Sequence, residues 1–150
     1  MEELFNELQR CIADKFGSDI SLIDEDFGQL DALINGEDMY PVTFPCVLIG
    51  TPKTKWKTLS TTMQQGELTL SIRLAFDCYD DTHYGSTQEG KATERMQMAS
   101  RLNSCIHGWK LQGRTQSLFR TESREYSLPG GIKVYEQIYA TMVVEEVKKD

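Results

Sequence analysis

Between Glu67 and Cys78 the sequence alternates without a break. Leu68, Leu70, Ile72, Leu74, Phe76 and Cys78 are set against Glu67, Thr69, Ser71, Arg73, Ala75 and Asp77. A period of two is the mark of an extended strand with one face in a core and the other toward water. It puts Leu74 inside and Arg73 outside. The run is about twice the usual strand length, so the chain must build a sheet around it.

The flanking segments supply the rest of that sheet. Val42 to Ile49 is strand-like, but Pro41 opens it and Pro45 lies within it. A proline cannot donate to a ladder, which predicts an edge or bulged strand. After Gly50-Thr51-Pro52, the alternating Lys53-Thr54-Lys55-Trp56-Lys57-Thr58 reads as a ribbon strand or arm, and Gln64-Gln65-Gly66 reads as the turn into the long strand. Leu118 to Tyr126 is a polar strand candidate, and Leu128-Pro129-Gly130-Gly131 is a turn. Ile132 to Val147 is a second long strand, with Val134, Ile138, Ala140, Met142 and Val144 on one face and Tyr135, Tyr139 and Val143 on the other. Two apolar faces predict a cover beyond the chain's own helices.

Two amphipathic helices complete the pattern. Leu4, Phe5, Leu8, Cys11, Ile12 and Phe16 recur at helical spacing until Gly17. Ser86-Thr87-Gln88-Glu89 matches a capping box, and Ala92, Met96, Ala99, Leu102 and Ile106 follow on one face as far as His107, before Gly108. Residues 18–40 read as a long acidic connection holding two short apolar patches and one helical turn. The expected architecture is a single α+β domain spanning 1–150. Its sheet is mostly antiparallel with two helices packed on one face, and long loops or a β-ribbon arm extend from it.

Composition narrows the function. With 39% hydrophobic and 26% charged residues the chain is globular in character, not disordered. No apolar run approaches the ~20 residues that cross a bilayer, so no membrane partner is expected. The N-terminal Met1-Glu2-Glu3-Leu4-Phe5 is acidic where a secretory signal is basic, which points to the cytoplasm. Cys11, Cys46, Cys78 and Cys105 are widely spaced and sit beside apolar residues. They read as reduced thiols packed as small hydrophobes, with a disulfide as the lesser alternative.

The net charge of −7 argues against a protein that grips phosphates. Residues 1–50 carry eleven acidic and two basic side chains, whereas the remainder is slightly basic. Between Asp19 and Asp38 there is no Lys or Arg. This stretch is either a solvated acidic loop or a flank that meets a basic surface on a neighbouring chain. Lys53, Lys55 and Lys57 around Trp56 leave three readings open: phosphate contact with stacking, a ribbon edge kept soluble by lysines, or contact with an acidic surface of an adjacent subunit. Asp24, Glu25, Asp26, Lys53, Lys55, Trp56 and Lys57 are accordingly the candidate subunit-interface residues.

Catalytic chemistry is not legible. His107 sits at a helix C-terminus, where positive charge is favoured. His83, in Asp80-Asp81-Thr82-His83, is the one spot resembling a metal or acid–base cluster, and its neighbours are turn formers. Asp24-Glu25-Asp26-Phe27-Gly28 resembles a calcium loop, but Asn35 stands where the bidentate Glu belongs. There is no P-loop, G-x-G-x-x-G or G-x-S-x-G. No catalytic, cofactor-binding or metal-binding residue is expected, and the chain reads as a non-enzyme.

The element order resembles the tail terminator (tail completion, head–tail joining) family of long-tailed bacteriophages and prophages. The likeness rests on the helix through Phe16, the strand Val42-Thr43-Phe44-Pro45-Cys46-Val47-Leu48-Ile49, the Gln65-Gly66 turn into Leu68–Cys78, and the helix 87–107 with two closing strands. The resemblance implies an α+β subunit of a homohexameric ring that stops tail-tube growth and joins the tail to the head connector. Its implied partners are copies of itself, tail-tube and head-connector proteins, and at most DNA passing through. Its implied location is the host bacterial cytoplasm during assembly and then the virion tail. The alternative is a small bacterial protein- or ligand-binding module without catalysis.

Overall fold

The computed structural model of the chain describes residues 2–37, 41–78 and 89–148. In chain order the elements are α1 (Glu2–Phe16), β1 (Leu22–Glu25), α2 (Gln29–Ile34), β2 (Cys46–Ile49), β3 (Lys53–Thr58), β4 (Met63–Asp77), α3 (Glu89–Ile106), β5 (Phe119–Leu128) and β6 (Ile132–Glu146). The strands form one sheet in the order β1-β2-β4-β6-β5, with β3 also paired to β4. Only β1 and β2 run parallel among the described strands; the other pairs are antiparallel. The α+β architecture expected from the sequence is the one observed.

The two long strands are the spine. β4 and β6 pair over fifteen residues each, from Met63↔Glu146 to Asp77↔Ile132. Leu68, Leu70, Ile72, Leu74 and Phe76 all enter the main core, as the alternation requires. The core on that face also takes Val47 and Ile49 of β2, Tyr135, Tyr139 and Val143 of β6, and one stripe from each long helix. α1 contributes Leu4, Leu8, Ile12 and Phe16, spaced four apart and all buried. α3 contributes Ala99, Leu102 and Ile106. Met96, expected on the same stripe, is exposed because the buried stripe of α3 begins at Ala99. Tyr139 is fully buried and donates its hydroxyl to Asn103 Oδ1 at 2.8 Å, which ties β6 to α3 without leaving a polar orphan.

The opposite face holds a second, smaller core. Leu30 of α2, Cys46, Leu48, Ala75, Ile132 and Val134 are buried together there. Here the acidic connection departs from expectation. Leu22–Glu25 is a strand, parallel to Cys46–Ile49, and the helical turn expected nearby is the six-residue α2. Its lead-in is pinned by buried Gln29, which accepts from the Phe27 N–H at 2.6 Å and donates to the Glu25 carbonyl at 2.8 Å.

Two further expectations are corrected. The strand around Pro45 begins only at Cys46 and lies inside the sheet, between β1 and β4. Pro45 precedes the ladder, so its missing N–H costs nothing; its carbonyl accepts from Ser21 N–H at 2.9 Å. The Phe44–Pro45 peptide is cis. Gly66 is not a turn residue: β4 starts at Met63 and the reversal occurs at residues 59–62, where Leu59 N–H bonds the Met63 carbonyl at 2.9 Å. Gly66 stands opposite Trp56 instead. A Cβ there would meet the Trp56 ring at 2.9 and 3.0 Å and Thr54 Cγ2 at 2.5 Å. The glycine is needed so that an indole can lie across the strand.

The expected turn at Gly130-Gly131 joins β5 to β6, and both glycines have positive φ, 89° and 76°. The capping box at Ser86 and the His83 cluster lie outside the described residues.

Candidate subunit interface

β2 and β3 lie end to end along the same edge of β4. Cys46–Ile49 pair with Ile72–Ala75, and Lys53–Thr58 pair with Gln64–Thr69. Gly50-Thr51-Pro52 spans the gap, held by the Gly50 N–H to Ser71 carbonyl bond of 2.7 Å. The main core reaches no further than Leu68 on β4 and Val143 on β6. Beyond those residues β3, the start of β4 and the end of β6 continue as a three-stranded ribbon.

Alternation sorts the ribbon's side chains. Lys53, Lys55 and Lys57 stand opposite Thr69, Glu67 and Gln65. That places the lysines on the sheet face away from α1 and α3. Trp56 points to the other face, over Gly66, and is still 43% exposed. The sequence-derived lysine row is therefore a real row on one surface.

The acidic partners are less uniform. Asp24 and Glu25 end β1 and are half-buried; the Asp24 carboxylate accepts from the Glu25 N–H at 2.8 Å. Glu25 borders a small cavity of about 70 Å³ beside Phe5 and Pro52. Asp26 is already engaged within the subunit. Arg73 Nε donates to one carboxylate oxygen at 2.9 Å and Nη2 to the other at 3.0 Å, with the two side chains only 13% and 16% exposed. Arg73, expected to face water, is thus mostly covered by the Asp26 turn.

Arg73 belongs to a longer charge relay across this face. Its Nη1 approaches the Tyr126 hydroxyl at 3.5 Å, Tyr126 donates to Glu136 Oε1 at 2.9 Å, and Arg124 Nε reaches Glu136 Oε2 at 3.2 Å. Burial opposes the Arg73 charge, but the Tyr126 hydrogen bond and the Asp26 carboxylate outweigh it and hold its pKa above the ordinary value. Burial also pushes the Tyr126 hydroxyl up. Two carboxylates and two guanidiniums alternate, so the relay is neutral as a whole.

The two apolar faces of Ile132–Val147 predicted a surface needing a cover, and it lies beside this relay. α2, Val42 and Phe44 pack with Ile132 and Val134, and among the described residues this cover stops short of the rest of β6. Past Glu136, the same face carries Ile138, Ala140 and Met142, half-buried, and Val144, 49% exposed. Phe119 of β5 stands beside Ala140 and is 53% exposed. Of these, Phe119, Ala140 and Met142 border, with Glu67 and Thr69, an open hollow of about 420 Å³. The two-faced hydrophobicity of Ile132–Val147 was the available signal; the contribution of Phe119, from a strand that reads as polar, was not visible.

His107 is exposed at the end of α3, where its Nδ1 accepts the Arg120 N–H at 3.0 Å and its ring meets the edge of Phe119 at 5.1 Å. Among the described residues, no three His, Cys, Asp or Glu side chains are placed to hold a metal. No described helix is long and apolar enough to cross a membrane.

No protein-family model matches the sequence, and no curated protein matches it. By structure the chain is similar to a chain in the virion of the native gene transfer agent (GTA) particle. The superposition has a TM-score of 0.58, covers 93% of this chain and 91% of that one, and aligns residues that are 12% identical. At that identity the likeness is one of fold, and it extends over nearly the whole of both chains.

Proposed function

We propose that the chain is a non-catalytic structural subunit of a phage-like virion, acting as a tail terminator. In this reading, copies close into a homohexameric ring on the head-proximal end of a tail tube. The ring ends tube growth and presents a surface to the head connector. The observation that carries the reading is the apolar strip of Ile138, Ala140, Met142 and Val144 with Phe119, which the described elements leave partly or largely exposed beside a charged ribbon. Exposed contiguous apolar surface of this kind marks a protein–protein contact. A ring needs two unlike patches that meet head to tail. The strip and lysine row form one; the acidic end of β1, Asp24 and Glu25, supplies the other.

The fold likeness to a gene transfer agent virion chain supports a place in a particle of that type. The net charge of −7 suits a ring through which DNA passes without sticking. The partners are then other copies, tail-tube protein and head-connector protein. Assembly takes place in the bacterial cytoplasm, and the subunit leaves in the virion tail. No cofactor is required.

The test is assembly itself. The purified chain, alone and with the tail-tube protein of the same particle, is followed by light scattering and negative-stain electron microscopy. Rings or capped tubes of fixed length are expected. Phe119→Glu and Met142→Glu should remove them while leaving the monomer's melting temperature within a few degrees. A wild type that stays monomeric with and without tube protein would sink the reading.

A further inference from the structure

Cys11 and Cys105 are 94 positions apart in sequence, yet their sulfurs stand 3.3 Å apart where α1 crosses α3. Cys105 Sγ also approaches the Cys11 carbonyl at 3.8 Å. Both residues are half-buried, and both line an open hollow of about 660 Å³ that Arg10, Lys15 and Trp109 also border. Cys46 provides the contrast, because it is sealed in the second core with no exposed surface. A disulfide needs its sulfurs about 2.0 Å apart, so closing this pair takes a shift of roughly 1.3 Å, within reach of side-chain rotation on two fixed helices. Two thiols already in contact and bordering an open hollow are more than core packing requires.

We propose that Cys11 and Cys105 are an oxidisable pair that a small-molecule disulfide converts into a covalent clamp between the two helices. The Cys11 thiolate attacks one sulfur of the reagent, whose S–S bond breaks and releases one thiolate, which takes up a proton. The Cys105 thiol then loses its proton to solvent, attacks the Cys11 sulfur of the mixed disulfide and expels the second thiolate. The protein's two thiols are oxidised by two electrons, and the reagent disulfide is reduced to two thiols. Burial and the neighbouring Cys11 sulfur push the Cys105 thiol up to about 12, and attack in the reverse order gives the same products. The clamp joins α1, at the chain's start, to the helix at its centre, and this inference is independent of the assembly role.

The experiment uses the full chain treated with oxidised glutathione or with dithiothreitol. Free thiols are counted after denaturation, and the linked peptides are mapped by mass spectrometry. Of the four thiols in the sequence, two should remain after oxidation, and a Cys11–Cys105 peptide lighter by two hydrogens should appear. The oxidised form should melt about 10 °C higher, because the bond closes a long loop. Cys11→Ala and Cys105→Ala should each abolish both effects, whereas Cys78→Ala should keep them. Four thiols left after oxidation, a glutathione adduct that never resolves, or a linkage between other cysteines would each overturn the proposal.

Discussion

Arg73 grips Asp26 with two separate N–H···O bonds of 2.9 and 3.0 Å, joining the middle of β4 to the turn that leads into α2. A fork-to-carboxylate pair with this little exposure is costly to break from one side only, since the remaining charge stays covered. Arg73→Ala should therefore lower stability by about 2–3 kcal/mol. Asp26→Ala should do similarly, and the double change should cost clearly less than the sum. Urea denaturation of the three variants checks this; strict additivity would mean the pair is not coupled.

Leu74 is fully buried in the main core. Leu74→Ala should cost about 2–5 kcal/mol. Because the neighbouring face is covered at Arg73, the two adjacent positions should both be sensitive. Thr69→Ala, on the same strand but exposed, should change stability by no more than about 0.5 kcal/mol.

Gly66→Val should force the Trp56 ring off β4, since the added carbon has no room beside the indole. The expected loss is about 1–3 kcal/mol. In a Trp109→Phe background, the emission of Trp56 should shift to the red. Unchanged emission would mean that the ring does not lie across the glycine.

Changing Lys53, Lys55 and Lys57 to Glu should abolish higher-order species without unfolding the monomer. Wild-type assembly should weaken as salt rises, because exposed charges are screened within ~8–10 Å at physiological ionic strength. Compensation is to be sought with Asp24→Lys and Glu25→Lys alone, because Asp26 is held by Arg73. Sedimentation at several salt concentrations reads both effects. Rings that persist in the triple variant would exclude the lysine row from the contact.

Burial pushes the Cys46 thiol from 9.0 up to about 12. Below pH 9 the thiol is neutral in both folded and unfolded chains, and its full contribution is present. Between about 9 and 12 the unfolded chain loses that proton while the folded one keeps it. Stability should then fall, by at most ~1.4 kcal/mol per pH unit from this group. Denaturation from pH 8 to 10.5 should show a shallower decline in Cys46→Ala than in the wild type. Equal slopes would mean that the thiol ionises equally in both states.

The legible parts of the fold were those whose hydrophobic pattern is local. Leu68 to Phe76 and the α1 stripe announce themselves, because one face of each is apolar at a fixed period. β1 has four residues, two of them acidic, and becomes a strand only by pairing with β2, more than twenty positions away. Gly66 looked like a turn because the reason for it, Trp56, is on another strand. In the candidate site the lysine row was readable from its alternation. The capture of Asp26 by Arg73 and the exposure of Phe119 were not, since both depend on which elements the sheet brings side by side.

The unbroken register between β4 and β6 has a mechanical consequence. A force pulling the two ends of such a pair apart along the strand axis loads every rung of the ladder at once, in shear, so no single hydrogen bond yields alone. A force across the strands would peel them one rung at a time. A subunit built on this spine is stiff against tension along its length and soft against opening from its ribbon end.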